Sequence, residues 1–400
     1  MAPLDLIADL KAYEPELIAI RHDIHRHPEV GFEETRTAAL VAERLRAWGL
    51  DVTEGIATTG VVATLKGRLP GQRAIGLRAD LDALHIQEVA NRAHGSTVPG
   101  KMHACGHDGH TAMLLGAARW LAEHPNSFGG TVAFIFQPAE EGLGGGREMV
   151  AQGMFDRFPV DAVYGMHNMP GIPAGEFRTR TGAFLAASDT WSVAFTGTGG
   201  HGGAGAHLST DATLPMAQFI MALQTIVSRN IAAADTAVVS VGSVAGGDPG
   251  SSNIIPSRVT VTGTARSYNP KVRDLMEQRL GEIARTQAAV FGCSAEVIYE
   301  RRYPPLITHA EPTALSIAAA TALVGADRVD TDCAPFTGSE DFSFMLQARP
   351  GGFIMIGNGA STDGSVHHVH TPNYDFNDEI LTLGSAYWVQ LVRTELGAPA

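Results

Sequence analysis

Glu140 and Glu141 stand side by side in Phe134-Ile-Phe-Gln-Pro-Ala-Glu-Glu-Gly142, downstream of Met102-His-Ala-Cys-Gly-His-Asp-Gly-His110. Cysteine, histidine and glutamate are metal ligands of graded softness. A carboxylate next to a ligand carboxylate suits metal-assisted hydrolysis, where one group binds and the other moves protons. A solvated acidic loop is the usual fate of such a pair. Here Pro138 and Gly142-Leu-Gly-Gly-Gly146 confine it directly behind a hydrophobic run, a constraint that argues for a task. Cys105 and His107 form a Cys-x-His pair able to grip a metal from one glycine-punctuated loop; a buried cysteine among hydrogen-bonded histidines is the alternative. His103 and His110 read as supporting residues. His167 follows Tyr164-Gly-Met166 at an expected strand end. His367, His368 and His370 cluster near the C-terminus, and spacing does not choose among them.

Short hydrophobic runs must carry these groups. Gly60–Leu65, Ala74–Leu77, Thr131–Phe136 and Val160–Gly165 read as strands, and helical spacing marks Leu17, Ile20, Ile24 and Ala39, Leu40, Ala42, Leu45. A helix is expected from near Thr111, with Met113, Leu114, Ala117 and Leu121 on one face. Strands alternating with helices give an α/β layered sheet, which places ligands beyond strand ends and at helix starts. From about residue 187 the pattern changes to strand, helix, two strands, helix, strand, the order of a ferredoxin-like α+β module. The expectation is a discontinuous catalytic domain, 1–186 and 302–400, with an inserted domain at 187–301.

The chain has 400 residues, 44% apolar and 18% charged, with a net charge of -13. That length suggests two domains. No basic run points to nucleic acid. Three cysteines, Cys105, Cys293 and Cys333, give no disulfide framework. No apolar run spans a bilayer, and Met1-Ala-Pro-Leu-Asp-Leu is no signal peptide, so the expected compartment is the cytoplasm.

Cys105-Gly-His107-Asp108, Glu140-Glu141, Gly165-Met-His167 and His370-Thr-Pro-Asn-Tyr-Asp-Phe together resemble the M20 metallopeptidases. The resemblance is to the amidohydrolase branch that holds hippurate hydrolases, N-acyl-amino-acid aminoacylases and auxin-conjugate hydrolases. It extends to Arg21-His-Asp-Ile-His-Arg-His-Pro-Glu-Val-Gly-Phe-Glu33 and Arg78-Ala-Asp80-Leu-Asp-Ala-Leu84. It implies a zinc-peptidase-like α/β catalytic domain with an inserted lid and dimerisation domain, and a homodimer or higher oligomer through that domain. It implies two divalent metal ions, zinc or manganese first, cobalt or nickel next. Their ligands would be Cys105, His107, Glu141, His167 and His370, the last selected over its neighbours by the following x-Pro. Asp80 would support the site, with a buried pair to Arg78 as the competing reading. Glu140 would be the general base.

The same resemblance gives the inserted module a role. Gly197-Thr-Gly199-Gly-His201-Gly202 matches the dinucleotide fingerprint, but no helix opens there and no βαβ unit follows, so the nucleotide reading is rejected. His201 resembles the lid histidine that donates to the substrate carbonyl, although the family's following Pro-His is Ala206-His207 here. Asn253, Arg266 and Gly338 match positions near the substrate, and the planar fork of arginine suits a carboxylate. The implied reaction is hydrolysis of an N-acyl amino acid, hippurate-like or N-acetylated. A dipeptidase or acyl-diaminopimelate deacetylase is the alternative on the same scaffold, and a non-catalytic metal-containing binding protein the remote one.

Overall fold

The Val-, Ile- and Phe-rich runs beside the acidic pair are strands of one sheet in the computed structural model, which describes residues 5–360 and 364–397. The strands used below are, in chain order, β1 (Asp51–Ile56), β2 (Gly60–Lys66), β3 (Leu69–Asp80), β4 (Gly129–Gln137), β5 (Ala162–Pro170) and β6 (Phe177–Arg178). Next come β7 (Ser188–Thr196), β8 (Gly200–His201), β9 (Ala237–Gly246), β10 (Ile254–Ile255), β11 (Arg258–Ser267) and β12 (Ser294–Tyr303), then β13 (Val329–Asp330) and β14 (Gly351–Gly359). The helices used below are α1 (Glu14–Arg26), α2 (Thr35–Ala47), α3 (His107–Glu123), α4 (Thr213–Thr225), α5 (Pro270–Val290) and α6 (Leu381–Leu396).

The first unit comprises Met1–Gly182, Ile307–Ala334 and Asp341–Ala400. Its sheet runs β1-β2-β4-β3-β5-β14-β6-β13. Strands β3, β4, β5 and β14 are mutually parallel, so their C-terminal ends open on one side. Parallel strands are covered on both faces and read as continuous apolar runs. Leu77, Phe134, Phe136 and Tyr164 are accordingly fully buried, in one core with α1, α3 and α6. α3 starts at His107, four residues before the expected Thr111. Its first turn is His-Asp-Gly-His, polar because it carries the site, and apolar periodicity cannot register such a turn.

The second unit comprises Ala183–Leu306 and Pro335–Glu340. Its boundaries lie a few residues outside the expected 187 and 301, and it takes in the segment that contains Gly338. Here β7-α4-β9-β11-α5-β12 form an antiparallel sheet of order β9-β11-β7-β12. Trp191, Val193 and Phe195 alternate inward from β7 to meet Phe219, Leu223, Met276 and Leu280 of the two helices. Asp189, buried at the start of β7, accepts from the Arg273 guanidinium and from Tyr299 at 2.9 Å. The buried charge is thus paired and hydrogen-bonded, as its burial requires.

Candidate dinuclear metal centre

Three parallel strand ends deliver the first groups of the site. β3 ends at Asp80 and runs on to Asp82; β4 ends at Gln137 and leads to Glu140 and Glu141; β5 carries His167 near its end, within the strand instead of after it. The start of α3 supplies the rest. Gly106 is its N-cap at φ +100°, and a Cβ there would lie 2.1 Å from Asn168 Nδ2 and 2.5 Å from Tyr374 Oη. Glycine is therefore required between Cys105 and His107. Asn168 fixes this corner by donating to the Cys105 carbonyl at 2.7 Å, and Tyr374 donates to Asn168 at 2.7 Å. The C-terminal loop arrives through the His370 amide, which donates to the Ala104 carbonyl at 2.7 Å with His370 held at φ +64°.

These backbones bring five side chains together. Candidate ligand atoms of Cys105, His107 and His167 lie within 4.8 Å of one another, and so do those of Cys105, Glu141 and His370. The two triads share Cys105. The third grouping, His107 with Glu140 and Glu141, sets the acidic pair against the first triad. Cys105 Sγ lies 3.3 Å from His167 Nε2, and His370 Nε2 lies 3.1 Å from Glu141 Oε1. His367 and His368 join no such group among the described residues.

Hydrogen bonds decide which histidine nitrogens can bind a cation. His167 Nδ1 donates to the Asn168 carbonyl at 2.6 Å, leaving the Nε2 lone pair facing Cys105. His107 Nδ1 contacts Asp82 Oδ1 at 3.2 Å, and its buried Nε2 has no hydrogen-bond partner. The nearest carboxylate oxygens to that nitrogen are Asp80 at 3.7 Å and Glu141 at 4.0 Å. A buried lone pair aimed at empty distance is what a ligand looks like before its metal, and the carboxylate behind the ring is the usual support. His110 is different: Nδ1 contacts Asp80 at 2.7 Å and Nε2 accepts from the Asn168 amide at 3.0 Å. Both its nitrogens are used, so it supports and does not ligate. His103 is buried and lies outside the triads.

The electrostatics call for positive charge. Burial alone would lower His107, but Asp80, Asp82 and Glu141 outweigh it and push its pKa up to about 10. Burial, reinforced by Glu141, Glu140 and Asp80, raises the Cys105 thiol well above its ordinary range. A thiolate there needs a cation beside it. Burial and His110 hold His167 well below its ordinary value, so that ring stays neutral and ready to ligate. The donor set of one sulfur, three imidazoles and one carboxylate suits two borderline-soft divalent ions.

Asp80 is buried at the end of β3. It pairs with Arg78 at 2.8 Å and orients His110 at 2.7 Å. Sequence reasoning assigned no task to Asp82, yet Asp82 accepts from the Glu140 amide at 3.0 Å and the Glu141 amide at 2.9 Å besides contacting His107. Its signal was available: it stands two residues beyond a strand-end acid in Arg78-Ala-Asp80-Leu-Asp82. Asp341 is a second buried acid at the acidic pair. Its amide donates to Glu140 Oε1 at 3.3 Å, and its carboxylate takes Gln137 at 2.7 Å, the Gly146 amide at 2.8 Å and Arg78 at 3.2 Å.

The residues expected to contact substrate lie in the second unit. β8 pairs with β10, setting His201 opposite Ile254, and the Gly202 amide donates to the Asn253 carbonyl at 2.7 Å. His201 Nδ1 accepts from the Gly203 and Ala204 amides, each at 3.1 Å, so a neutral ring carries its proton on Nε2. Arg266 is half-buried on β11 and turns back on its own strand, donating to the Ala265 carbonyl at 2.9 Å and to Thr264. Gly338 accepts from the Ala186 amide at 2.9 Å.

Residues 76–394 match the sequence profile of Peptidase family M20/M25/M40. The chain is 36% identical over 388 residues to a hippurate hydrolase of Campylobacter jejuni, covering 97% of this chain and 98% of that enzyme. It is 38% identical over 381 residues to an N-acetyl-L-cysteine deacetylase of Bacillus subtilis, covering 95% and 88% respectively. Among solved structures it is similar to the YXEP protein of Bacillus subtilis, described as a dinuclear metal-binding peptidase of the M20 family. That match has a TM-score of 0.83 at 31% identity, over 96% of this chain and 99% of the other.

Proposed function

The chain belongs to peptidase family M20/M25/M40 and is a metal-dependent amidohydrolase using two divalent cations; from that premise we propose that it cleaves N-acyl amino acids with Glu140 as general base. The observation that carries this reading is the pair of ligand triads meeting at Cys105, with Glu140 beside the ligand carboxylate of Glu141.

In the proposed assignment Cys105, His107, His167, Glu141 and His370 would hold the two cations, Cys105 being the residue that both triads include. Cations bound there would supply polarisation of the scissile carbonyl and a lowered pKa for the attacking water. Glu140, buried and held by the Asp341 amide, takes the proton from that water and returns it to the leaving nitrogen. Asp82 contacts His107 Nδ1 and leaves its Nε2 for the site, while Asp80 holds His110 against Asn168 as a support. His201 presents an Nε2–H suited to the carbonyl oxygen as it gains charge. Asn253 and Arg266 take the amino-acid carboxylate, and the Gly338 segment lies near the substrate. The relatives named for hippurate and N-acetylcysteine support an acyl group on a small amino acid as the substrate class.

The test is metal analysis with a substrate panel of N-benzoyl, N-acetyl and dipeptide compounds on the wild type and Glu140→Ala. The variant should keep its metals and lose turnover by about 10²–10⁴-fold. Undiminished turnover removes Glu140 from the role, and exclusive dipeptide cleavage replaces the substrate class.

A further inference from the structure

A buried carboxylate outside the metal centre has no task in the scheme above. Glu34 is fully buried. By position it is the N-cap residue of α2, yet its side chain makes no capping hydrogen bond. Glu29 does that work instead, accepting from the Arg36 amide at 2.9 Å and the Thr37 amide at 2.8 Å. The Glu34 carboxylate points the other way. Oε1 accepts from the Ala139 amide at 2.8 Å, and Oε2 accepts from the Thr59 hydroxyl at 2.5 Å.

Ala139 is the residue before the acidic pair, and it sits at φ +53°. That region is unfavourable for a residue with a side chain and persists only where the surroundings impose it. Three consecutive amides of this loop, those of residues 139, 140 and 141, donate to just two buried carboxylates, Glu34 and Asp82. Asp82 belongs to the site already described; Glu34 reaches the loop from the N-cap of α2. The contact is close: a Cβ on Gly31 would lie 3.0 Å from Ala139 Cα.

We propose that Glu34 is a positioning residue for hydrolysis, holding Ala139 in its left-handed conformation and so aiming Glu140 and Glu141. Without this acceptor the buried Ala139 amide has no partner. The loop then relaxes towards an ordinary backbone conformation and turns the next peptide, which carries Glu140. The inference rests on the proposed role of Glu140. It differs from a packing role because one hydrogen-bond acceptor at one position suffices.

The test compares Glu34→Ala with Glu34→Gln, whose side-chain oxygen can still accept from Ala139 while its amide donates to Thr59. A misaimed base should cost kcat about 10- to 100-fold in Glu34→Ala with KM little changed. In metal-free protein, amide exchange across residues 139–142 should accelerate in the same variant. Glu34→Gln should restore both. Unchanged kcat and exchange in folded Glu34→Ala overturn the proposal, as does a Gln variant as impaired as Ala. If Glu34→Ala fails to fold, Glu34→Asp withdraws the acceptor by one methylene and keeps the carboxyl group; wild-type kcat and exchange in it overturn the proposal equally. Glu140→Ala separates the two claims. Retained turnover there sinks the general base and leaves the exchange result standing. Lost turnover there with an unaffected Glu34→Ala sinks this inference alone.

Discussion

At Glu34 burial outweighs the Thr59 and Ala139 hydrogen bonds and lifts the carboxyl from 4.5 to about 7. The folded chain therefore keeps a proton that the unfolded chain releases. Its contribution to stability is complete below pH 4.5 and is lost as pH rises through about 7. Melting temperatures of metal-free wild type and Glu34→Gln across that window should show the shallower fall for the variant, which cannot titrate. Parallel curves contradict the assignment. Single residues also mark the limit of what the sequence discloses. Cys105, His107, Glu140 and Glu141 stand in local patterns whose chemistry is readable from type and spacing. Glu34 and Asp82 are not readable in that way. Their roles lie in accepting backbone amides from loops far along the chain, and an amide partner leaves no trace in composition or period.

Elements convert those residues into a site. The parallel strands β3, β4 and β5 end together, so the loops after Asp80 and Gln137 and the end segment holding His167 meet because of sheet topology. Alternating strand and helix signals made that topology legible. The first turn of α3 was not legible, because its residues face the site and carry no apolar stripe. Helix α1 holds a further device. Arg21 is fully buried and pairs with Asp108 at 3.3 Å, Asp375 at 3.1 Å and Asp378 at 2.6 Å. It thereby ties the helix bearing His107 to the loop bearing His370. Arg21→Met leaves Asp108 to His25, Asp375 to Arg92 and His94, and Asp378 to His22; losing the buried guanidinium that joins them should cost at most about 3–5 kcal/mol in urea unfolding. The loss should include weaker metal retention, since the loop of His370 is released. A variant with wild-type stability contradicts this reading of the network.

The described helices include none long and apolar enough to cross a membrane. In the second unit, β9 is an edge strand whose Val238 and Val244 are 44% and 48% exposed. Exposed apolar edges of this kind invite a second strand. We propose that two copies pair there. Light scattering should give twice the single-chain mass, and Val238→Lys with Val244→Lys should reduce it to one; a single-chain mass for the wild type ends the proposal. The central claim concerns the first unit, where Cys105 belongs to both ligand triads. X-ray absorption on protein loaded with two equivalents of zinc tests it most directly. A shared thiolate predicts about one sulfur neighbour per zinc near 2.3 Å, lost from both ions in Cys105→Ala. Zinc surrounded by nitrogen and oxygen alone, or sulfur on one ion only, contradicts the account.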